Sequence, residues 1–320
     1  MKKILTKQLL VLTALLFLSI VIGLLKGAVE IPAAQLLLAE NATLFNMRLL
    51  RIFTAILVGS GLAVSGIVLQ AILRNSLAEP YLLGTSSGAG LAAVLAVVIG
   101  ISRLYLPLAA FLGAVASIVL VYHLALEGNR INDKSLILSG VIVSTLLSAV
   151  MVFMVSLFPE RALHEMTWWL WGSLQVYDFK LILGVSLPVI LGIATTYGFA
   201  QDLNAISLGE EAAYHLGIDT QKVKKILILI TALITSSLIC LCGIIGFVGL
   251  IVPHMMRLVV GPNHRSLIPL TCIAAAIFMV GCDILSRIAF APAEVPIGVI
   301  TAIIGAPVFM VLLRRAGRIS

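Results

Sequence analysis

The chain has 320 residues, of which 61% are hydrophobic and only 11% are charged, and its mean hydropathy is +1.17. A soluble globular domain normally carries about 25% charged residues, so this composition excludes a soluble fold and predicts a polytopic membrane protein. The formal net charge of +7 is better explained by membrane orientation than by nucleic-acid binding, because the sequence offers no soluble domain to bind DNA.

Ten apolar segments follow one another along the chain, and each is a candidate membrane-spanning helix. In the first segment Lys2, Lys3 and Lys7 precede an apolar run from Leu9 to Leu25, as in a signal sequence, but the run is long and lacks a good cleavage site, so we expect it to remain as a helix. The boundary between the seventh and eighth segments depends on Gly243 and Gly246 alone. The predicted segments are 6–25, 48–71, 82–101, 105–126, 135–158, 180–200, 222–243, 245–260, 267–288 and 297–313.

The distribution of lysine and arginine predicts the orientation of these segments. If the N-terminus is cytoplasmic, two thirds of the 21 Lys and Arg residues fall at the inner ends and in the inner loops, in agreement with the positive-inside rule. An even number of spans then places both termini in the cytoplasm. The polar stretch 207–225 is also predicted to be cytoplasmic.

Two outer loops, 27–47 and 159–179, are long enough to hold structure of their own. The second loop contains Trp168, Trp169 and Trp171, and tryptophan favours the headgroup layer of a bilayer. These tryptophans predict a short interfacial helix, with stacking on a substrate as the alternative interpretation.

The polar stretch 207–225 carries the signals of a short helix. Ser207 and Glu210 have the spacing of a capping box, and Gly217 is a typical helix stop. A helix of about nine residues would be about 13 Å long, too short to cross a bilayer, so it lies either against its own chain or against a cytosolic partner. Its apolar residues recur every four positions and form one stripe, composed of Leu208, Ala212 and Leu216.

The sequence lacks the usual signatures of an enzyme active site. No G-x-x-x-x-G-K-[ST] motif occurs, so the chain has no phosphate loop with which to bind ATP. The five histidines include no pair at the spacing of a helical metal site. The four cysteines lie in apolar runs, without the spacing of a metal site or the context of a disulfide framework. The glycine-rich stretch 84–90 favours close helix packing.

Polar residues inside apolar segments are rarer and therefore more informative. Asp283 and Arg287 stand four residues apart in the ninth segment, so we expect them to pair on one helix face, an interpretation favoured over a proton relay. The fifth segment is rich in hydroxyl groups, which either join helices through hydrogen bonds or line a wet path. Its serines are Ser135, Ser139, Ser144 and Ser148.

Three stretches resemble the permease subunits of ABC importers for iron-siderophores, haem and cobalamin, the FecCD-type family. They are RLLRIFTAILVGSGLAVSGIVLQAILRNSLAEPYLLGTSSGAG at 48–90, GFVGLIVPHMMRLVVGPNHRSLIPL at 246–270 and AEVPIGVITAIIGAPVFMVLLRR at 293–315. The resemblance implies an all-α polytopic membrane protein of about ten transmembrane helices, with type II ABC importer permease architecture in one domain, 1–320. It also implies a bacterial or archaeal cytoplasmic membrane as the location.

The same resemblance implies that the chain works with partners and is not itself an enzyme. A second copy of the chain would complete a homodimer, with the substrate path along the two-fold axis. Two ATP-binding-cassette subunits would bind ATP and Mg²⁺ and hydrolyse the nucleotide, while this chain would hold no cofactor or metal. A substrate-binding protein would deliver the cargo, and membrane lipid would surround the helices.

The resemblance also implies roles for three groups of residues. The coupling helix at about 207–217, which seats in the ATPase subunit, contains Ser207, Leu208, Gly209, Glu210, Glu211, Ala212, Ala213, Leu216 and Gly217. The surface that docks the binding protein contains Arg48, Arg51, Arg287 and Glu294, since arginine forms directional pairs with carboxylates. The translocation path and its cytoplasmic gate contain Asn75, Leu77, Asn132, Asp133, Ser139, Ser144 and Ser148.

We therefore expect the membrane subunit of an ATP-driven importer for a metal chelate such as an iron-siderophore, haem or cobalamin. An importer of the same family for a small oxyanion such as molybdate is one alternative, because a path lined by hydroxyl and aliphatic groups carries no charges that would identify its substrate. An ion-coupled secondary transporter is another, although the apolar segments lack a chain of acids for proton coupling. An intramembrane enzyme is disfavoured because Asp283 is the one acid that these segments offer.

Overall fold

The computed structural model describes residues 2–29, 32, 35, 38–128, 130–157 and 169–316, which form a bundle of helices. Three short 3₁₀ turns, Ala39–Asn41, Pro80–Leu83 and Arg103–Tyr105, and a small hairpin of β1 (Leu126–Glu127) and β2 (Arg130–Ile131) join some of them. The α-helices in these ranges are α1 (Lys2–Leu25), α2 (Ala42–Ile72), α3 (Thr85–Val98), α4 (Leu106–Leu124), α5 (Asp133–Ser156), α6 (Phe179–Gly198), α7 (Ala200–Leu208), α8 (Glu210–His215), α9 (Thr220–Cys242), α10 (Val248–Val260), α11 (His264–Ile288) and α12 (Ile297–Ala316).

Ten of these helices correspond to the ten predicted apolar segments. Within the described ranges, seven helices are long and apolar enough to cross a bilayer, namely α1, α2, α4, α5, α6, α9 and α11. Three shorter apolar helices, α3, α10 and α12, accompany them. The prediction of an all-α polytopic protein with about ten membrane helices is therefore confirmed.

Local sequence explains where four of the long helices begin. The side chains of Asn132, Asp178, Asp219 and Asn263 accept hydrogen bonds from backbone N–H groups in the first turns of α5, α6, α9 and α11 respectively. Such N-caps satisfy donors that would otherwise lack a partner at a helix start. The polar residue that precedes each apolar segment therefore sets the position at which the helix starts.

Helices α3 and α10 are shorter than a bilayer because irregular backbone precedes both of them. Their 14 and 13 residues span about 20 Å each at 1.5 Å per residue. The two irregular segments bond to each other: Tyr81 Oη donates to the Ile245 carbonyl at 3.0 Å, and the Phe247 N–H donates to Glu79 Oε1 at 2.8 Å. Non-helical backbone is tolerated at membrane depth when protein groups satisfy it in this way. The predicted break between the seventh and eighth segments is confirmed, since α9 ends at Cys242.

Helix α2 lies at the centre of the bundle, and most of its residues are buried. Glycines allow other helices to approach it closely. A Cβ atom on Gly59 would lie 2.5 Å from the Ala275 carbonyl oxygen of α11, and a Cβ on Gly66 would lie 1.9 Å from the Gly249 carbonyl oxygen of α10. Small residues at such crossings allow the backbone-to-backbone packing that is typical of membrane helices.

Large apolar side chains on several helices point away from the described chain. Phe17 of α1, Leu112 of α4, Leu146 of α5 and Ile303 of α12 are each more than half exposed. Soluble monomers rarely expose extended apolar surface of this kind. These faces therefore lie against lipid or against another protein chain.

Candidate functional sites at the two ends of the bundle

Helices α7 and α8 occupy the polar stretch, but the boundary between them differs from the prediction. Ser207 lies inside α7, where its Oγ donates to the Leu203 carbonyl at 2.7 Å. The predicted capping box is wrong, because α7 extends beyond Ser207 and a serine inside a helix bonds to the preceding turn. Gly209 separates the two helices with a φ of +126°, which favours glycine. The predicted stop at Gly217 is confirmed by its φ of +77°.

Helix α8 packs on its own chain through a small residue, while larger apolar side chains in and beside it are exposed. Ala213 is fully buried, whereas Leu208 and Tyr214 are both 76% exposed and Leu216 is 66% exposed. The helix therefore rests on its own chain through Ala213, while the flanking leucines are left uncovered. Three large exposed apolar side chains within positions 208–216 favour a contact surface in this part of the chain. A surface cavity of about 550 Å³ beside α8 is lined by Arg74, Leu208, Gly209, Glu210, Glu211, Ala212 and His215.

A buried lysine connects α8 to α5. The side chain of Lys224, near the start of α9, has no exposed surface. Its Nζ lies 2.6 Å from Asp133 Oδ1 at the start of α5 and also donates to Glu210 Oε1 at the start of α8. Arg74, which follows α2, places its Nη2 3.6 Å from the second oxygen of Asp133. The sequence analysis did not identify this cluster, because no helical spacing relates residues 91 positions apart.

Three of the predicted gate residues lie near this cluster, where one caps a helix and the other two form a turn. Asn132 caps α5, and its amide donates to Glu127 at 3.0 Å. Hydrogen bonds from Ser135 and from Asn132 lower the pKa of Glu127, so this carboxylate stays ionised. Asn75 Oδ1 accepts a hydrogen bond at 2.9 Å from the backbone N–H of Leu77, whose side chain is 46% exposed. A role for these residues in a gate stays a prediction.

The serines predicted to line the path face neighbouring helices. Ser139 is buried, and Ser148 Oγ donates to Ser87 Oγ of α3 at 3.1 Å. A Cβ on Gly84 would lie 3.5 Å from Ser144 Oγ, so this serine also faces the start of α3. This geometry favours the joining of α5 to α3 over a path-lining role, which stays a prediction. The strip of α5 that lies open is largely aliphatic and contains Leu138, Val141, Ile142, Leu146, Val152 and Phe153.

At the opposite end of α2, three buried arginines and two carboxylates form what we call the arginine network. Arg51 bonds to Asp283 through Nε and to Glu294 Oε2 through Nη1 at 2.7 Å. Arg287 Nη2 lies 2.8 Å from Asp283 Oδ2, so the predicted pair on α11 is confirmed. Arg51 is an additional partner of Asp283 that sequence spacing did not show, because 232 residues separate the two.

Two of these arginines, Arg48 and Arg287, also satisfy carbonyl groups at the end of α1 and just after it. Arg48, Arg51 and Arg287 are at most 7% exposed. The four residues predicted to dock a binding protein therefore lie together, beside a cavity of about 120 Å³. Their charged groups, however, form hydrogen bonds and ion pairs within the chain. Arg48 donates to the carbonyls of Leu24, Leu25 and Val29, and Arg287 donates to those of Gly23 and Lys26.

The predicted interfacial helix lies largely outside the described residues, as does Trp168. Trp169 and Trp171 are described, and Trp171 is 48% exposed. The backbone here is tied to α12, since the Gly298 N–H donates to the Trp171 carbonyl at 3.1 Å. This segment therefore packs on the bundle at the end where α12 begins.

Comparison with known proteins agrees with this architecture. The sequence profile of the FecCD transport family matches residues 15–315. The cobalamin import system permease protein BtuC of Halobacterium salinarum is 40% identical over 275 residues, which are 84% of this chain and 72% of that protein. The molybdate import system permease protein MolB of Haemophilus influenzae is 35% identical over 280 residues, which are 87% of this chain and 83% of that protein.

A solved structure extends the similarity to three dimensions. It is described as a metal-chelate type ABC transporter in an inward-facing conformation, and it superposes with a TM-score of 0.88 at 34% identity, covering 97% of this chain and 99% of that one. In such a transporter the ATPase is a separate subunit, so the permease is not itself an enzyme. The chain therefore belongs to the FecCD transport family, as the membrane-spanning permease subunit of an ABC importer.

Proposed function

We propose that this chain carries a metal chelate, such as an iron-siderophore, haem or cobalamin, and that α8 is the coupling helix through which an ATPase subunit moves it. The observation that carries the proposal is the exposed apolar surface at α8, formed by Leu208 at the end of α7, Tyr214 of α8 and Leu216 directly after α8. On the inner side of the same helix, Glu210 bonds to the buried Lys224. A helix that is apolar outwards and anchored inwards is able to pass the movement of a partner into the bundle.

Two copies of the chain and two ATPase subunits complete the proposed importer. The open aliphatic strip of α5 supports the proposed dimer, because a second copy or the path between two copies would cover part of it. ATP and Mg²⁺ bind to the ATPase subunits in this arrangement. When these subunits close on ATP, they displace both coupling helices, and one gate opens as the other shuts.

The proposed orientation places the α8 end of the bundle in the cytoplasm. Lysines and arginines are concentrated at this end, including Lys222, Lys224, Lys225, Arg257 and Arg265, as the positive-inside rule requires. Both termini are then cytoplasmic, as expected for a bacterial or archaeal cytoplasmic membrane protein. The opposite end, with the arginine network, faces the substrate-binding protein.

The arginine network is the proposed docking surface for that binding protein. Arg48, Arg51 and Arg287 supply directional donors for acidic groups, while Glu294 keeps 21% of its side chain exposed. In this structure the donors are held by Asp283, by Glu294 and by backbone carbonyls, so docking would act on a cluster that is already ordered. The network would then transmit contact at the surface to α1, α2 and α11 together.

Relatives support the proposed substrate class and also a second candidate. The cobalamin permease BtuC and the structural neighbour of metal-chelate type favour a bulky chelate. The molybdate permease MolB favours a small oxyanion as the second candidate. The open strip of α5 carries aliphatic side chains and no charge, so the chain itself offers little selectivity, and the binding protein is proposed to supply it.

Uptake by a reconstituted complex tests this function. The chain, its ATPase subunits and its binding protein are placed in liposomes, and uptake of cobalamin, haemin, ferric citrate and molybdate is measured with and without ATP. We expect uptake of one of the three chelates that requires ATP and the binding protein. Molybdate uptake alone would support the second candidate, whereas full uptake by the chain without ATPase subunits, driven by an ion gradient, would refute an ABC permease function.

A further inference from the structure

We propose that Lys224 is a positioning residue that makes α8 and the start of α5 move together, so that a displacement of α8 reaches the strip of α5 that lies open. This inference rests on the proposed function of α8 as the coupling helix. It assigns to α5 the role of receiving the movement, and to a single ammonium group the role of passing it on.

Three elements that are distant in sequence meet at this ammonium. Lys224 belongs to α9, Asp133 to the first turn of α5 and Glu210 to the first turn of α8. The lysine side chain is 0% exposed, while the carboxylates keep 16% and 44% of their side-chain surface open. The ammonium is therefore enclosed, and both of its carboxylate partners come from elements other than its own.

The burial of Lys224 makes these two contacts difficult to break separately. A buried ammonium that loses a carboxylate keeps its desolvation penalty without the compensating attraction. A movement of α8 that carried Glu210 away from Lys224 would therefore be opposed unless α9 and α5 followed. The charge cluster thus favours a joint displacement of the three elements.

The backbone between α7 and α8 changes direction at a glycine. Gly209 lies between them with a φ of +126°, and the nearest atom to a Cβ added there is 3.9 Å away, on Arg74. Glycine leaves the backbone free to change direction at this position. A change in the angle between α8 and α7 therefore meets little backbone resistance at Gly209, while Lys224 connects α8 to α5.

The start of α5 is well placed to pass the displacement onward. The open aliphatic strip begins at Leu138, little more than one turn after Asp133. The other side of α5 packs closely on the Pro80–Leu83 turn, where a Cβ on Gly140 would lie 1.9 Å from the Leu82 carbonyl oxygen. A shift of the first turn therefore moves the open strip against a fixed contact on the other side.

The number of probe molecules taken up per ATP hydrolysed tests this role in the reconstituted complex. The probe is whichever of cobalamin, haemin, ferric citrate or molybdate the unmodified complex transports. Lys224→Met removes the ammonium and keeps most of the stem, while Asp133→Asn and Glu210→Gln each remove one partner. We expect each to lower the uptake per ATP by about tenfold or more, as for loss of an interaction that acts only in the coupled step. For Lys224→Met, which lies outside the helix that contacts the ATPase, we expect hydrolysis within about twofold of normal.

Two further variants serve as controls. Lys222→Met removes an exposed lysine from the same turn, and Lys224→Arg keeps a cation at the buried position. Both are expected to keep at least half of the normal uptake per ATP. Normal uptake per ATP in all three test variants would overturn the inference. So would a parallel loss of hydrolysis and uptake with dissociation of the complex, because that result shows a purely structural role.

A failure of the proposed function gives a different result. In that case the unmodified complex takes up none of the four probes in the presence of ATP, before any variant is compared. The inference about Lys224 then falls together with the function on which it rests. If the unmodified complex transports a probe and the variants keep its normal uptake per ATP, the proposed function stands and the role of Lys224 is refuted.

Discussion

Leu208 and Leu216 flank α8, and replacing both by glutamate is expected to break the contact between this part of the chain and the ATPase subunit. The two side chains are 76% and 66% exposed in the isolated chain. Burying a leucine side chain contributes about 1.5–3 kcal/mol, so covering these open fractions contributes about 2–4 kcal/mol for the pair. At about 1.4 kcal/mol per tenfold, the double variant loses roughly 30- to 700-fold in affinity. Desolvation of two carboxylates adds to the loss.

The assay compares binding with the stability of the permease alone. Affinity between the solubilised permease and its ATPase subunit is measured by titration, and the thermal midpoint of the permease is measured separately. Because both leucines are exposed, their replacement changes the free energy of unfolding by less than about 0.5 kcal/mol. Gln201→Glu is the matched control, since it adds one acid to an exposed position of α7 at the same end of the bundle, and it is expected to keep normal affinity.

Two results would refute the reasoning. One is an unchanged affinity for the ATPase subunit in a double variant whose thermal midpoint is normal. The other comes from topology: if Glu211→Cys is labelled by a membrane-impermeant thiol reagent from the outer face only, α8 has no access to a cytoplasmic ATPase. Either result would leave the exposed leucines that flank α8 without the proposed partner.

Three further predictions concern the bundle itself. Asp283→Asn removes the charge shared by two buried arginines, so we expect a loss of about 3–5 kcal/mol and a lower thermal midpoint, while the exposed Glu211→Gln leaves the midpoint unchanged; equal midpoints would contradict a stabilising network. Gly66→Ala places a Cβ 1.9 Å from the Gly249 carbonyl oxygen, so we expect little folded protein, and a normal yield with a normal midpoint would disprove the close contact. Ser148→Ala removes a hydrogen bond to α3 worth about 0.5–1.5 kcal/mol and is expected to leave uptake unchanged; lost uptake at unchanged stability would instead support the path-lining role.

The number and type of the membrane helices were predictable because they depend on local composition. An apolar run of sufficient length forms a helix in a bilayer whatever its neighbours are, since the backbone has no other means of satisfying its hydrogen bonds. The pair of Asp283 and Arg287 was predictable for a related reason, because residues four positions apart share a helix face. The stop at Gly217 was predictable because its backbone conformation favours glycine.

The predictions for individual side chains were less accurate where neighbouring elements compete for them. The spacing of Ser207 and Glu210 is that of a capping box, but α7 extends through Ser207, and Glu210 bonds to Lys224 instead. The path-lining role that the resemblance implies for the serines of α5 stays a prediction, and spacing alone did not show that Ser148 bonds to Ser87 of α3. Sequence spacing does not show which face of a helix meets which neighbour, so these contacts require the packed bundle.

By itself, the sequence determined that this protein is a polytopic helical membrane protein, where its apolar segments lie and to which family it is similar. Only the tertiary structure decided that Arg51 shares Asp283 with Arg287 and that Lys224 joins α8 to α5. The physical reason is that helix formation is a local property of the chain. The pairing of buried charges depends on which distant segments are packed together, and their separation in sequence carries no information about that contact.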